Sequence, residues 1–258
     1  MMTKTMVFTV VLLFTFISTG MIHANADREL LAGVDSLASY MDTDFSAEYT
    51  ILQDVPGQGV SRTVAGVFRR DSNETYVIVI MEPVNSRGQG YLKQGNTLWF
   101  YDPESRRFNV TARANRFQNT NARNSDFTRS TLAQDYRVIS GEDVILGRFR
   151  CRLLTLEAMT TEVTFSRMKI WVCNDGLLRK SEDYSPSGQL LRTTAIPDYH
   201  LIDGRYVPRQ MVIVDELRGA LINGTFVKER TQITVTGPSF ARVADSVFSQ
   251  VFLESVNR

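Results

Sequence analysis

Cysteine, histidine and net charge are all scarce in this sequence, and each shortage closes off a class of chemistry. The 258 residues hold two cysteines and two histidines, and one of the histidines, His23, lies in the N-terminal apolar region. Two thiols and the remaining His200 do not supply the four ligands of a typical structural zinc site. Cys151 and Cys173 also lack the C-x-x-C spacing that lowers a thiol's pKa, so a redox pair is the lesser reading of them. Neither G-x-S-x-G nor H-E-x-x-H occurs, and His200 stands beside Tyr199 in a strand-like run. The expectation is a binding protein and not an enzyme, with no catalytic residue, metal or cofactor.

Twenty-nine basic residues face 28 acidic ones. A chain so close to neutral has no electrostatic footprint for nucleic acid, whose binding is dominated by release of phosphate counterions. No apolar run reaches the roughly 20 residues that a membrane-spanning helix needs. There is no Pro/Ser-rich linker and no repeat of fixed period, which points to one domain.

What is present begins with an export signal. Lys4 precedes an apolar run from Met6 to Ile17, and a more polar stretch ends in Ala24-Asn25-Ala26. Charge, short apolar core and small-x-small site make a secretory signal peptide, a retained anchor being the alternative. Cleavage is expected after Ala26, giving a signal over 1–26 and a single domain over 27–258. The first cysteine is Cys151, far from that junction, so no acyl anchor is expected.

One amphipathic helix follows, with Leu30, Leu31, Val34, Leu37 and Met41 at helical spacing. Nearly everything after it reads as strand. The candidates are 45–54, 61–70, 74–82, 90–93, 97–101 and 106–111, separated by turn-formers such as Pro56-Gly57 and Gly95-Asn96. An Asn- and Arg-rich break covers 112–129, and 130–134 reads as a short helix. Strands resume over 136–146, 148–158, 165–173, 177–184, 190–200, 205–215 and 223–236. The tail from Ser239 to Glu254 reads as a turn of helix and a short apolar segment. So many consecutive strands with short turns predict an antiparallel meander, closed as a barrel or left as a curved open sheet.

The cysteines set a register. Disulfides persist in exported proteins. A hairpin centred on Glu162 places Cys151 opposite Cys173, Leu153 opposite Trp171, Thr155 opposite Lys169 and Glu157 opposite Arg167. The other face then pairs Leu154 with Ile170 and Leu156 with Met168. One register satisfies both faces, as the two-residue period of a strand demands. A Cys151–Cys173 disulfide is therefore expected, with the apolar face turned to a core or cavity.

Arg106, Arg107, Arg113, Arg116 and Arg123 occur with no acid between Ser105 and Ser125. Of these, Arg113, Arg116 and Arg123 are candidates to meet anionic headgroups in transient membrane contact, or an acidic partner. A solvated loop is the plainer reading.

The most specific words lie between residues 90 and 136. Gly90-Tyr-Leu-Lys-Gln-Gly95-Asn-Thr-Leu-Trp99-Phe-Tyr-Asp-Pro103 resembles the strand–turn–strand of the LolA-type periplasmic lipoprotein carriers. Ser125-Asp-Phe127 through Leu132 resembles the corresponding segment of the related outer-membrane lipoprotein-sorting proteins. Cys151, Trp171, Tyr184-Ser-Pro-Ser-Gly188 and Ile202-Asp-Gly-Arg-Tyr-Val-Pro208 continue the series, in order, over most of residues 60–240.

The resemblance implies a mainly β fold with a few helices: an open antiparallel half-barrel under a helical lid, enclosing a cavity for acyl chains of lipoproteins or lipids. It also implies a periplasmic location, an inner-membrane transporter as donor and an outer-membrane acceptor. Leu98, Phe100, Leu154, Leu156, Met168 and Ile170 are the candidate cavity residues, a closed core being the alternative. Each buried CH₂ of a bound chain is worth about 0.8 kcal/mol. The carriers hold the lid with an Arg on an early strand, a role open to either Arg69 or Arg70. The stretch 112–129 is longer and more basic than in the carriers. A lipid-sensing regulatory module of the cell envelope is the second functional reading.

Overall fold

The computed structural model describes residues 13–256. Lys4 and the first part of the apolar run assigned to the signal lie outside these residues. Helix α1, Leu13–Ala38, runs through the expected cleavage point at Ala26. Among the described residues, no helix is long and apolar enough to cross a membrane.

The strands follow the turn signals closely. The first group is β1 (Asp44–Val55), β2 (Gly59–Arg70), β3 (Thr75–Glu82), β4 (Gly90–Gln94), β5 (Thr97–Asp102) and β6 (Arg107–Val110). After short helix α2 (Leu132–Asp135) come β7 (Tyr136–Leu146), β8 (Phe149–Ala158), β9 (Arg167–Cys173) and β10 (Leu178–Tyr184). The last are β11 (Leu190–Ile202), β12 (Arg205–Ile222) and β13 (Thr225–Ser239), before a C-terminal helix α3 (Gln250–Ser255).

These strands form one antiparallel sheet in the order β6-β5-β4-β3-β2-β1-β13-β12-β11-β10-β9-β8-β7. β1 pairs with β13, so the chain's two ends meet in mid-sheet. The sheet does not close into a barrel. Its free edges are β6 and β7, which are consecutive in the chain, so the segment 111–135 runs from one edge to the other. The result is an open antiparallel half-barrel, and 111–135 with the end of α1 forms a lid over its inner face.

Two expectations need correction. β12 continues to Ile222 instead of ending near Asp215, and the turn falls at Asn223-Gly224, where φ is 49° and 79°. Two consecutive positive φ angles are what a tight hairpin turn requires, and Asn-Gly supplies them. Met41 lies beyond the end of α1 and is exposed, so the helical stripe stops at the earlier leucines and Val34.

Three apolar layers hold the sheet. Leu31 and Val34 of α1 pack on Leu154, Leu156, Ile170 and Val172, because a helix with one apolar face must cover some part of the sheet. On the inner face of β1–β5, the lid residues Phe117, Ala122 and Phe127 pack against Phe45, Tyr49, Ile78 and Leu98. On the outer face, Phe248 and Leu253 of the C-terminal tail cover Val77, Val79 and Leu92. β3 is therefore buried on both faces, and its run Thr75–Ile80 is wholly buried. Gly90 makes the outer packing possible: a Cβ there would stand 2.5 Å from Leu253 Cδ2 and 3.0 Å from the Ile78 carbonyl.

The β8–β9 hairpin has the expected register throughout, from Cys151 opposite Cys173 to Glu157 opposite Arg167. The two cysteines form a disulfide.

Candidate functional site

Lid and α1 leave part of the inner face uncovered. Between them lies a cavity of about 280 Å³. Its floor is made by alternate residues of the central and following strands, among them Tyr49, Met168, Leu178, Ile196, Val207, Met211, Ile213 and Ile233. Its roof is Ala38 and Tyr40 at the end of α1, Arg113, the stretch from Ser125 to Tyr136, and Val163–Phe165 of the β8–β9 loop. The walls are mainly aliphatic and aromatic, with a few arginines. Small-molecule pockets run about 300–1,000 Å³, so this partly open cavity sits just under that range.

The roof is held by polar contacts at defined points. Arg192 on β11 donates to both carboxylate oxygens of Asp126, at 2.7 and 3.1 Å, and its Nε donates to Asp183 at 2.7 Å. Its guanidinium also lies 4.7 Å from the centre of the Phe165 ring. Asp183 is fully buried, and burial raises its pKa against the opposing pull of Arg192. Arg116 donates to Asp215 at 2.6 Å and to Asn121 at 2.7 Å, tying the lid to β12. Asp35 of α1 accepts from the backbone amides of Leu132 and Ala133 at 2.9 and 2.7 Å and from the Ser130 hydroxyl, so helix and lid form one roof.

The two candidate arginines of β2 separate cleanly, because neighbours on a strand point to opposite faces. Arg69 turns inward. It is bonded to Asp71 at 2.6 and 3.0 Å, reaches the Ala38 carbonyl at 3.4 Å, and lies over the rings of Tyr40 and Phe45. Asp71 in turn accepts from the Tyr40 amide at 2.8 Å, so this pair grips the end of α1. Arg70 turns outward to Asp44 and Asp245 and holds the C-terminal tail. Burial raises the Tyr40 and Tyr49 hydroxyl pKa values, keeping both neutral beneath the roof.

Only one of the six candidate cavity residues, Met168, lines this cavity. Leu154, Leu156 and Ile170 are fully buried beneath α1, and Leu98 is buried beneath the lid. The roof elements pack directly on them. Phe100 lines a separate cleft of about 400 Å³ beside β6, together with Tyr91, Gln118 and Asn119.

The candidate basic residues also part ways. Arg113 lines the cavity. Arg116 is taken up by Asp215 and Glu229. Arg123 donates to the Ala114 carbonyl at 2.9 Å within the lid. Arg192, Asp126, Asp183 and Asp35 were not anticipated, because the inward direction of Arg192 and Asp183 shows only once β10 and β11 are placed in the sheet. His200 Nε2 lies 3.0 Å from the Val235 carbonyl.

A family model described as "Uncharacterized protein" matches residues 72–255. Comparison with curated proteins returns no match. Among solved structures, a LolA superfamily protein from Nitrosomonas europaea is 22% identical and superposes with a TM-score of 0.72, covering 87% of this chain and 98% of that one. A putative outer-membrane lipoprotein-sorting protein domain from Vibrio parahaemolyticus is 15% identical, with a TM-score of 0.75 and coverage of 88% and 97%. A DUF1329 family protein from Desulfovibrio piger is 18% identical, with a TM-score of 0.76 and coverage of 89% and 98%.

Proposed function

For a chain that belongs to this family of uncharacterized proteins and is built on the LolA-like fold, we propose a carrier role: it binds acyl chains of lipoproteins or lipids in the cavity beneath the lid and ferries them through the periplasm towards the outer membrane. The observation that carries this reading is the cavity of about 280 Å³ between an apolar floor and a roof fastened by side-chain contacts. An apolar floor binds alkyl chains without directional chemistry, at about 25 cal/mol for each Å² of apolar surface removed from water. Arg192–Asp126 and Arg69–Asp71 fasten the roof at points that can release separately. Lifting the roof enlarges a space now just too small for a whole lipid.

The carrier is exported by its signal segment, cleaved after Ala26, and moves unanchored between an inner-membrane donor and an outer-membrane acceptor. Met168 contributes to the chain-binding floor, Arg69 holds the lid, and Arg113 meets the headgroup. Extraction of protein purified from its own envelope should release lipid or a lipidated peptide, and a fluorescent fatty acid should be displaced by added phospholipid. Finding no bound lipid and no displacement would overturn the proposal.

A further inference from the structure

Beside the main cavity, the lid and the strands beneath it gather more cationic than anionic side chains. Arg113 follows β6, and its backbone is fixed: its carbonyl accepts from the Ser125 amide at 2.9 Å, and that of Ala112 accepts from the Asn124 side chain at 2.9 Å. Its side chain has no such fixing. Arg113 Nε is buried without a hydrogen-bond partner, and so is Arg129 Nε.

Both arginines face a small side pocket of about 40 Å³ that also takes in Lys93, Arg69, Asp71 and Glu74. Four cations and two carboxylates line it. Asp71 is committed to Arg69, and Glu74 is engaged by Arg129 and, at 3.8 Å, by Lys93. Arg113 is left without an ion pair among the described residues. Burial lowers the Lys93 pKa; Glu74 opposes that fall, and Arg113 and Arg129 add to it. Arg69 and Lys93 are buried here, and an added oxyanion would give Arg113 the acceptor that it lacks.

Arg69, Arg113, Thr128, Arg129 and Thr131 line both this pocket and the main cavity, so the two spaces adjoin. The side pocket has room for a few waters or one small oxyanion, a water needing about 10–15 Å³ on this measure. We propose that the side pocket binds the oxyanion headgroup, a carboxylate or phosphate, of an amphiphile whose apolar chain lies in the main cavity. This rests on the acyl-binding reading above and narrows it: the cargo is anionic, and Arg113 selects it through charge-assisted hydrogen bonds.

The test uses the delipidated protein and two ligands of the same chain, oleate and oleyl alcohol, each displacing a neutral acyl fluorophore. Oleate should bind about tenfold more tightly, the margin of one charge-assisted hydrogen bond. Arg113→Gln should remove that margin while leaving oleyl alcohol unchanged, and Arg113→Lys should keep part of it. Lys93→Met should narrow the margin too and serves where the Arg113→Gln protein does not fold. Equal affinities in the unaltered protein, or a margin untouched by both Arg113→Gln and Lys93→Met, would overturn the assignment. Displacement of oleate by millimolar inorganic phosphate would move the site to a free oxyanion and overturn the headgroup reading. Failure of both lipids to bind overturns the cavity reading, and this assignment with it.

Discussion

Arg192 of β11 grips Asp126 of the lid through both carboxylate oxygens and holds the buried Asp183 with its remaining nitrogen. One guanidinium therefore joins sheet, lid and an otherwise isolated interior carboxylate. The two ends of this contact are not equivalent. Asp126→Asn leaves Arg192 paired with Asp183 and should cost about 1–2 kcal/mol. Arg192→Met strands Asp183 in the interior and should cost about 3–5 kcal/mol. Urea unfolding separates the two, and amide exchange should quicken across 123–131 in Asp126→Asn before it changes in the strands. Unchanged lid exchange would show that the lid is held elsewhere.

The disulfide between Cys151 and Cys173 closes a loop of sequence separation 22. Loops of about this length give roughly 3 kcal/mol through the chain entropy of the unfolded state. Replacing both cysteines by serine should lower the unfolding free energy by about that amount, and dithiothreitol should reproduce the loss. Alkylation without reductant should leave the mass unchanged; labelling of both thiols would show that the bridge does not form.

Gly90 and Leu253 occupy adjoining space on the outer face. Gly90→Ala should cost about 1–3 kcal/mol by overpacking, and Leu253→Ala about 2–5 kcal/mol by opening a cavity. The double variant should lose less than the sum, because removing the leucine makes room for the new methyl. Strict additivity would mean that the C-terminal helix does not seat on β3 and β4.

Glu74 is held by Arg129 of the lid, and the hydrogen bond from that arginine lowers its pKa. A carboxylate depressed in the folded state contributes stability above its unfolded pKa, about 4.3. That contribution disappears as the pH falls through the lower folded value. Protection factors in residues 125–131, from which the intrinsic pH dependence of exchange is removed, should therefore fall on acidification below about pH 4. Glu74→Gln should show the lower protection already at neutral pH and lose the acid-dependent step. A step that survives in Glu74→Gln would assign the acid response to another group.

Much of the sheet was legible because short turns punctuate it and because a strand fixes its faces by alternation. The hairpin of β8 and β9 shows this best: two cysteines, one ion pair and two apolar pairs agreed on one register. What covers a face is another matter. Alternation placed Leu154, Leu156 and Ile170 on an apolar face, but not under α1 rather than under a cavity. β12 runs past the acidic pair Asp215-Glu216, where its alternation breaks. There the strand carries a register shift between Val214 and Gly219 before resuming. Arg192 and Asp183 carry no motif that sets them apart in the sequence. Their inward direction emerges only once β10 and β11 are set in the sheet beside β12.

The lid is spliced at both ends into opposite edges of one sheet, β6 and β7. Raising it is therefore a loop opening and not a dissociation. Its return to the closed position is a first-order event, independent of protein concentration and driven by a high local concentration of its own partners. The residence time of whatever lies beneath then depends on how often the loop lifts. Doubling the loop's length would change the closure free energy by only about 0.6 kcal/mol. The Arg- and Asn-rich segment can thus vary in length and composition at little cost to closure, with its gripping residues left in place.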